Sequence, residues 1–309
     1  KVSDYGSIML NQYHMGGVIL FDRNMENPEQ VKQLTSDLQA QSNEKVPLFI
    51  GIDEEGGDVV RMAEKLTPPP SQKEIGATGD IEQAKTWAIK TAKSLKDMGI
   101  NVNFAPVADV GSNDKRSYST DTNTVIDFVR AATKGYQQEN IIYSLKHFPG
   151  IGKGRVDSHV DSSSIDVAKE VLMTEDIIPF KTIIDENDPN DYFILVSHLK
   201  YPALDEEYPA SLSSKIMTDL LRNELGYKGI IITDDMEMGA VANHNDFRSI
   251  GVKAVKAGVD IVLVCHEYEH QQEVYLGLLD AVNSGEISQE RIDESVKRII
   301  KVKLLHLYQ

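Results

Sequence analysis

The chain has 309 residues, 41% hydrophobic and 26% charged, which is enough to bury a substantial core. With 32 Lys plus Arg against 48 Asp plus Glu, its net charge of −16 repels polyanions and argues against work on DNA, RNA or anionic lipid. No apolar run approaches the ~18 residues of a membrane-spanning helix, and a single cysteine, Cys265, excludes an intrachain disulfide framework and a Cys-based zinc site. The chain opens on Lys1 rather than Met, which leaves room for a removed signal peptide or lipoprotein anchor, so cytoplasmic and extracytoplasmic locations both stand. Oligomeric state is open, with a monomer as the default.

In chain order, short apolar strands alternate with helical stretches, the signature of βα units on a parallel sheet. After a helix-like opening at Lys1–Tyr13, Gly17–Phe21 reads as a strand and Pro28–Gln41 as a helix. Pro47–Asp53 is the next strand, Glu82–Met98 a helix, and Asn101–Asp109 is extended again. Thr124–Gln138 is helical before the strand Ile142–Phe148, and Ala168–Asp185 is a helix expected to break near Pro179. Tyr192–His198, Gly229–Asp235 and Val259–Cys265 are strands, separated by helices at Ser213–Leu225 and Ser249–Ala257. His270 to His306 reads as two helices broken at Asn283–Gly285.

These are seven strands, each near-continuously apolar, as a sheet covered on both faces requires. The expected fold is α/β: a single (β/α)8 TIM-like barrel over residues 1–309, with its first strand upstream of Lys1. An open, doubly wound sheet is the alternative.

In such a barrel the reactive face lies at the C-terminal ends of the strands. Those ends carry Asp22 and Arg23; Asp53, Glu54 and Glu55; Asp109; Lys146 and His147; Ser197 and His198; and Thr233, Asp234 and Asp235. Any one of them reads equally well as a solvated loop residue. All at one end of successive strands is harder to dismiss, because unpaired convergent charges destabilise a fold.

Two segments stand out. Lys146-His147-Phe148-Pro149-Gly150 runs on to Asp157-Ser158-His159, where the carboxylate, two residues away on an extended chain, can orient the imidazole and raise its pKa. The glycines of Gly150–Gly154 lack the spacing of a phosphate loop. In Thr233-Asp234-Asp235, adjacent acids leaving a strand point opposite ways, so one can face the mouth while the other braces a loop, and Asp235 reads as a helix N-cap at the strand-to-helix turn. A lone ionised Asp facing a sugar is the nucleophile of retaining glycoside chemistry.

The motifs GIDEEGGDVVR (Gly51–Arg61), NFAPVADV (Asn103–Val110), RSYSTD (Arg116–Asp121), KHFPG with DSH, YPALD (Tyr201–Asp205) and TDDMEMGA (Thr233–Ala240) occur in that order. In these the chain resembles the glycoside hydrolase family 3 β-N-acetylglucosaminidases, bacterial β-hexosaminidases of cell-wall turnover. The resemblance implies Asp234 as nucleophile and His159, held by Asp157, as acid and then base. It implies that Asp53, Arg61, Arg116, Lys146 and His147 grip the N-acetylglucosamine, with His198 joining this set as a supporting residue. It further implies a GlcNAc-containing saccharide from peptidoglycan as substrate, and neither metal nor cofactor.

Two positions depart from the family pattern: Ile151 stands where a second His is usual in HFPGHG, and Asp58 where Arg usually follows EGG. The single tryptophan, Trp87, lies in a helical stretch and reads as packing. A phosphorylase is a related outcome. The rivals from other classes are a metal-dependent hydrolase using His147, Asp157, His159, His198 and Asp234, and a non-catalytic sugar-binding lipoprotein.

Overall fold

The computed structural model describes residues 1–42, 46–62, 66–111, 115–154 and 164–308. The order is α1 (Asp4–Asn11), β1 (Gly17–Leu20), α2 (Pro28–Gln41), β2 (Phe49–Ile52), α3 (Gln72–Ala77), α4 (Ile81–Asp97) and β3 (Val102–Asn103). It continues through α5 (Thr122–Gln138), β4 (Ile142–Phe148), α6 (Lys169–Val171), α7 (Ile178–Glu186), β5 (Tyr192–Val196), β6 (Lys200–Tyr201) and β7 (Asp205–Pro209). The last elements are β8 (Ile230–Asp235), α8 (Gly239–Ala242), α9 (Phe247–Ala257), β9 (Ile261–Leu263), α10 (Tyr268–Asn283) and α11 (Gln289–His306). Two segments, Leu172–Asp176 and Lys215–Glu224, are π-helical.

Seven strands form one parallel sheet in the order β1-β2-β3-β4-β5-β8-β9, and β6 and β7 make a separate antiparallel ribbon. Alternation sorts the strand residues into two cores. Ile50, Ile52, Tyr143, Leu145, Ile194, Val196 and Ile231 pack under the helices. Phe49, Val102, Phe104, Ile142, Phe193, Leu195, Ile230 and Ile232 form the other cluster, joined by Ile19, Ile261 and Leu263. A sheet can gather the inner residues of all seven strands only by curling. The Phe49 and Phe193 rings, 5.2 Å apart, belong to strands that a flat sheet would hold about 14 Å apart.

α11 lies across the N-terminal ends of this curl. Its Lys303 ammonium donates to the Gly16 carbonyl before β1 and stands over the Phe49 ring. Ser295 and Arg298 bind Asp260 before β9, and His306 meets Asn140 and Asn190 before β4 and β5. Among the described residues β1 and β9 are the sheet's edges, and no eighth strand lies between them.

Helix starts follow their caps: Asn27 with Pro28 behind it opens α2, and Asp121, accepting from Thr124, opens α5. Gly135 lets α5 approach α4, since a Cβ there would stand 2.7 Å from that of Ala88.

Two expectations need correction. The strand expected over Asn101–Asp109 keeps ladder pairing only at Val102–Asn103, because Pro106 has no N–H to offer. The segment nonetheless stays beside β4, where Val107 bridges Lys146 and the Ala108 amide donates to the Lys146 carbonyl. The helix expected to break near Pro179 does so, but the proline is not what breaks it. Leu172–Asp176 winds as a π turn, and Pro179 sits in the first turn of α7, where a missing N–H costs nothing.

Candidate active site

Strand parity sets the site. On β2, β4 and β8 the inward register runs through Phe49, Ile142 and Ile232 to Asp53, Lys146 and Asp234, which therefore converge above the inner core at the C-terminal ends.

Lys146 Nζ is buried between two carboxylates, 2.8 Å from Asp53 Oδ1 and 2.6 Å from Glu55 Oε1. Arg61 reaches the other Asp53 oxygen at 3.1 Å. Arg116 closes a fork on Glu55, with Nε 2.9 Å and Nη2 2.8 Å from its oxygens, and the same Nη2 lies 3.1 Å from His147 Nε2. A guanidinium only donates, so that imidazole nitrogen accepts and the ring hydrogen sits on Nδ1, 2.8 Å from Asp109 Oδ2. The other Asp109 oxygen takes the backbone amides of His147 and Ile151.

The charges hold each other in place. Burial alone would lift the Glu55 carboxyl, yet Lys146 and Arg116 outweigh it and hold the acid far below the usual range. Burial would lower Lys146, but Asp53 and Glu55 raise it above its ordinary value. Against the cost of burial, Glu55, Asp109 and Asp234 keep Arg116 firmly protonated.

Asp234 is half-buried. Burial would raise its carboxyl, but the imidazoles of His147 and His198, the Asp235 amide at 2.8 Å and the Lys146 ammonium together hold it below the usual carboxylate range. An ionised, partly accessible carboxylate can attack an electrophilic carbon or stabilise positive charge on one.

His198 lies behind this row and is almost fully buried. Its Nδ1 meets Ser211 Oγ and its Nε2 meets the Asp235 carbonyl, each at 2.7 Å. Burial keeps this ring below its ordinary pKa, against the pull of Asp234 and Asp235. Asp235 caps the turn rather than a helix, accepting from the Glu237 and Cys265 amides.

The structure thus brings Asp53, Arg61, Arg116, Lys146 and His147 into one bonded network, with Asp234 beside it and His198 behind. Asp157 and His159 lie outside the described residues. Among the described residues no three His, Cys, Asp or Glu side chains are grouped as a metal would need, and no helix is long and apolar enough to cross a membrane.

Glu55, Asp109 and Ser211 were missed as site residues. Glu55 and Asp109 carried a signal, standing at strand ends, but nothing in the chain pairs them with Lys146, Arg116 or His147. Ser211 gave no signal.

The chain is 36% identical to Beta-hexosaminidase A of Pseudoalteromonas piscicida over 328 residues, covering 96% of this chain and 54% of that one. It is 31% identical to a Beta-hexosaminidase of Nitrosomonas eutropha, covering 94% of this chain and 85% of that one. The solved structure of a glycoside hydrolase family 3 beta-N-acetylglucosaminidase from Paenibacillus sp. str. FPU-7 superposes with a TM-score of 0.94 at 37% identity, over 98% of this chain and 59% of that one. The chain therefore spans little more than half of two of these relatives and most of the third. Residues 1–302 match the glycosyl hydrolase family 3 N terminal domain, and the chain belongs to that family.

Proposed function

We propose that the chain is a retaining, exo-acting β-N-acetylglucosaminidase that releases terminal GlcNAc from peptidoglycan fragments or related glycosides. The observation that carries this reading is Asp234, half-buried at the mouth of the curl and held ionised by the electrostatics of the site and the Asp235 amide. Its relatives' names supply the sugar.

Asp234 attacks the anomeric carbon while His159, oriented by Asp157, protonates the departing glycosidic oxygen. The glycosyl–Asp234 ester is then opened by water, with His159 taking the water's proton. A neutral imidazole left after proton donation adds no second negative charge beside Asp234. Asp53, Arg61, Arg116, Lys146 and His147 bind the sugar's oxygens, the cations acting as pure donors. His198 supports the Asp235 backbone next to the nucleophile. We infer also that residues 1–309 form one catalytic domain and that a further strand between β1 and β9 completes an eight-stranded barrel. The half-exposed Ile19, Ile261 and Leu263 at those edges support that reading.

The test is hydrolysis of 4-nitrophenyl β-N-acetylglucosaminide and of the β-glucoside by wild type and Asp234→Ala, with and without chelator and with and without phosphate. Chelator-insensitive release from the GlcNAc substrate alone, lost by ~10³-fold or more in the variant, is expected. Release that requires phosphate would make the enzyme a phosphorylase, and unchanged turnover in Asp234→Ala would remove the nucleophile assignment.

A further inference from the structure

The turn after β4 is gripped from two sides. Asp109 holds the amides of His147 and Ile151. On the other side stands Asp176, fully buried at the end of the π turn Leu172–Asp176. Gly150, at φ +124°, lies flat against it, and a Cβ there would come within 3.0 Å of the Asp176 Cβ. The Tyr201 hydroxyl donates to the Gly150 carbonyl at 2.8 Å.

Lys153 then crosses back to this acid. Its Nζ lies 2.6 Å from Asp176 Oδ2 and 2.8 Å from Glu175 Oε2. An ion pair between two exposed side chains contributes little, but a fully buried carboxylate without its cation is strongly unfavourable. The family resemblance leads to an imidazole at position 151, and this chain has Ile151, half-buried on the core. The cation that meets Asp176 here comes from Lys153, six positions ahead of His159 in the chain.

We propose that Lys153 and Asp176 form a latch that fixes the Gly150–Gly154 stem, making Lys153 a positioning residue for the proton donor that follows it in sequence. This rests on the reading of His159 as the general acid. Lys153 bonds Asp176 and Glu175 rather than Asp234 or the residues proposed to bind the sugar, so its loss is expected to act chiefly on proton delivery. Leaving groups that depart as stable anions need no proton, and those that depart as strong bases do.

The experiment compares kcat/KM for phenyl and 2,4-dinitrophenyl β-N-acetylglucosaminides in wild type, Lys153→Met, Lys153→Arg and His159→Ala. Lys153→Met is expected to lose ~10-fold or more on the phenyl glycoside, since general-acid help is worth ~10²–10⁴-fold and a small misplacement forfeits part of it. On the dinitrophenyl glycoside it stays within about threefold of wild type, and Lys153→Arg restores most of the phenyl rate. Should Lys153→Met not fold, Asp176→Asn is read by the same ratio. Equal losses on both substrates, or none on either, overturn the latch. If His159→Ala shows no leaving-group dependence, the proton-donor reading falls and takes the latch with it. If His159→Ala shows it and Lys153→Met does not, the latch alone falls.

Discussion

His198 Nε2 stands 2.7 Å from the backbone carbonyl of Asp235, one residue past the proposed nucleophile. A carbonyl only accepts, so Nε2 carries the ring hydrogen and Nδ1 is left to accept from Ser211. The pair ties the end of β5 to the end of β8 and sets the backbone from which Asp234 projects. His198→Ala is expected to lower kcat by ~10–100-fold with little change in KM, the cost of a nucleophile out of line. Ser211→Ala, which frees the ring to rotate, should give a smaller loss of the same kind. A purely KM effect in steady-state kinetics would place His198 against the sugar instead.

Lys146 neutralises two carboxylates at once, one of them almost fully buried. Lys146→Met leaves Glu55 with only Arg116, and breaking a buried pair in this way costs about 3–5 kcal/mol. Denaturant unfolding should show that loss, and should show much of it recovered in Lys146→Met/Glu55→Gln. Activity should stay low in both, because the donor to the sugar is gone. Recovery of activity along with stability would mean that Lys146 serves the fold alone.

Glu54 is buried beside the site, with its Oε2 taking the Arg61 amide at 2.9 Å. Burial, helped by the Asp53 charge and opposed by Arg61, pushes its carboxyl from 4.5 up to about 7. The folded state therefore holds a proton there that the unfolded chain releases. Glu54 contributes stability that is full below about 4.5 and lost as pH rises through about 7. Glu54→Gln, which keeps the neutral shape, should gain on wild type across that window, by on the order of 2–3 kcal/mol at pH 8. Melting curves at pH 5 and pH 8 check the sign, and a constant difference between the two proteins would refute it.

Lys303 presents the opposite case. Burial lowers its ammonium from 10.5 to about 8. Between those two values the unfolded chain binds a proton that the folded state has released, so this group makes stability rise with pH there. Lys303→Met is expected to be more stable than wild type at pH 7, with the advantage fading towards pH 10.5. The lost hydrogen bond to Gly16 offsets part of the gain. A variant less stable at pH 7 would show that this bond outweighs the cost of the buried charge.

Local chemistry was enough for the seven strands of the main sheet and their order along the chain, but not for the β6–β7 ribbon or the shortness of β3. An apolar run such as Ile230–Ile232 makes a buried strand whatever surrounds it, and a period of two then puts Asp234 on the same face as Ile232. The same count put Asp53 and Lys146 at the mouth. Tertiary structure alone decided who meets whom. Glu55 and Lys146 are 91 positions apart, Ser211 and His198 meet across a turn and the β6–β7 ribbon, and Lys153 finds Asp176 across the π turn. Periodicity depends on neighbours three or four residues away, so the chain displays it openly. The pairing of buried charges depends on how the sheet curls and where its connections return, and a charge in a sequence looks the same whether its partner is water or a lysine on another strand.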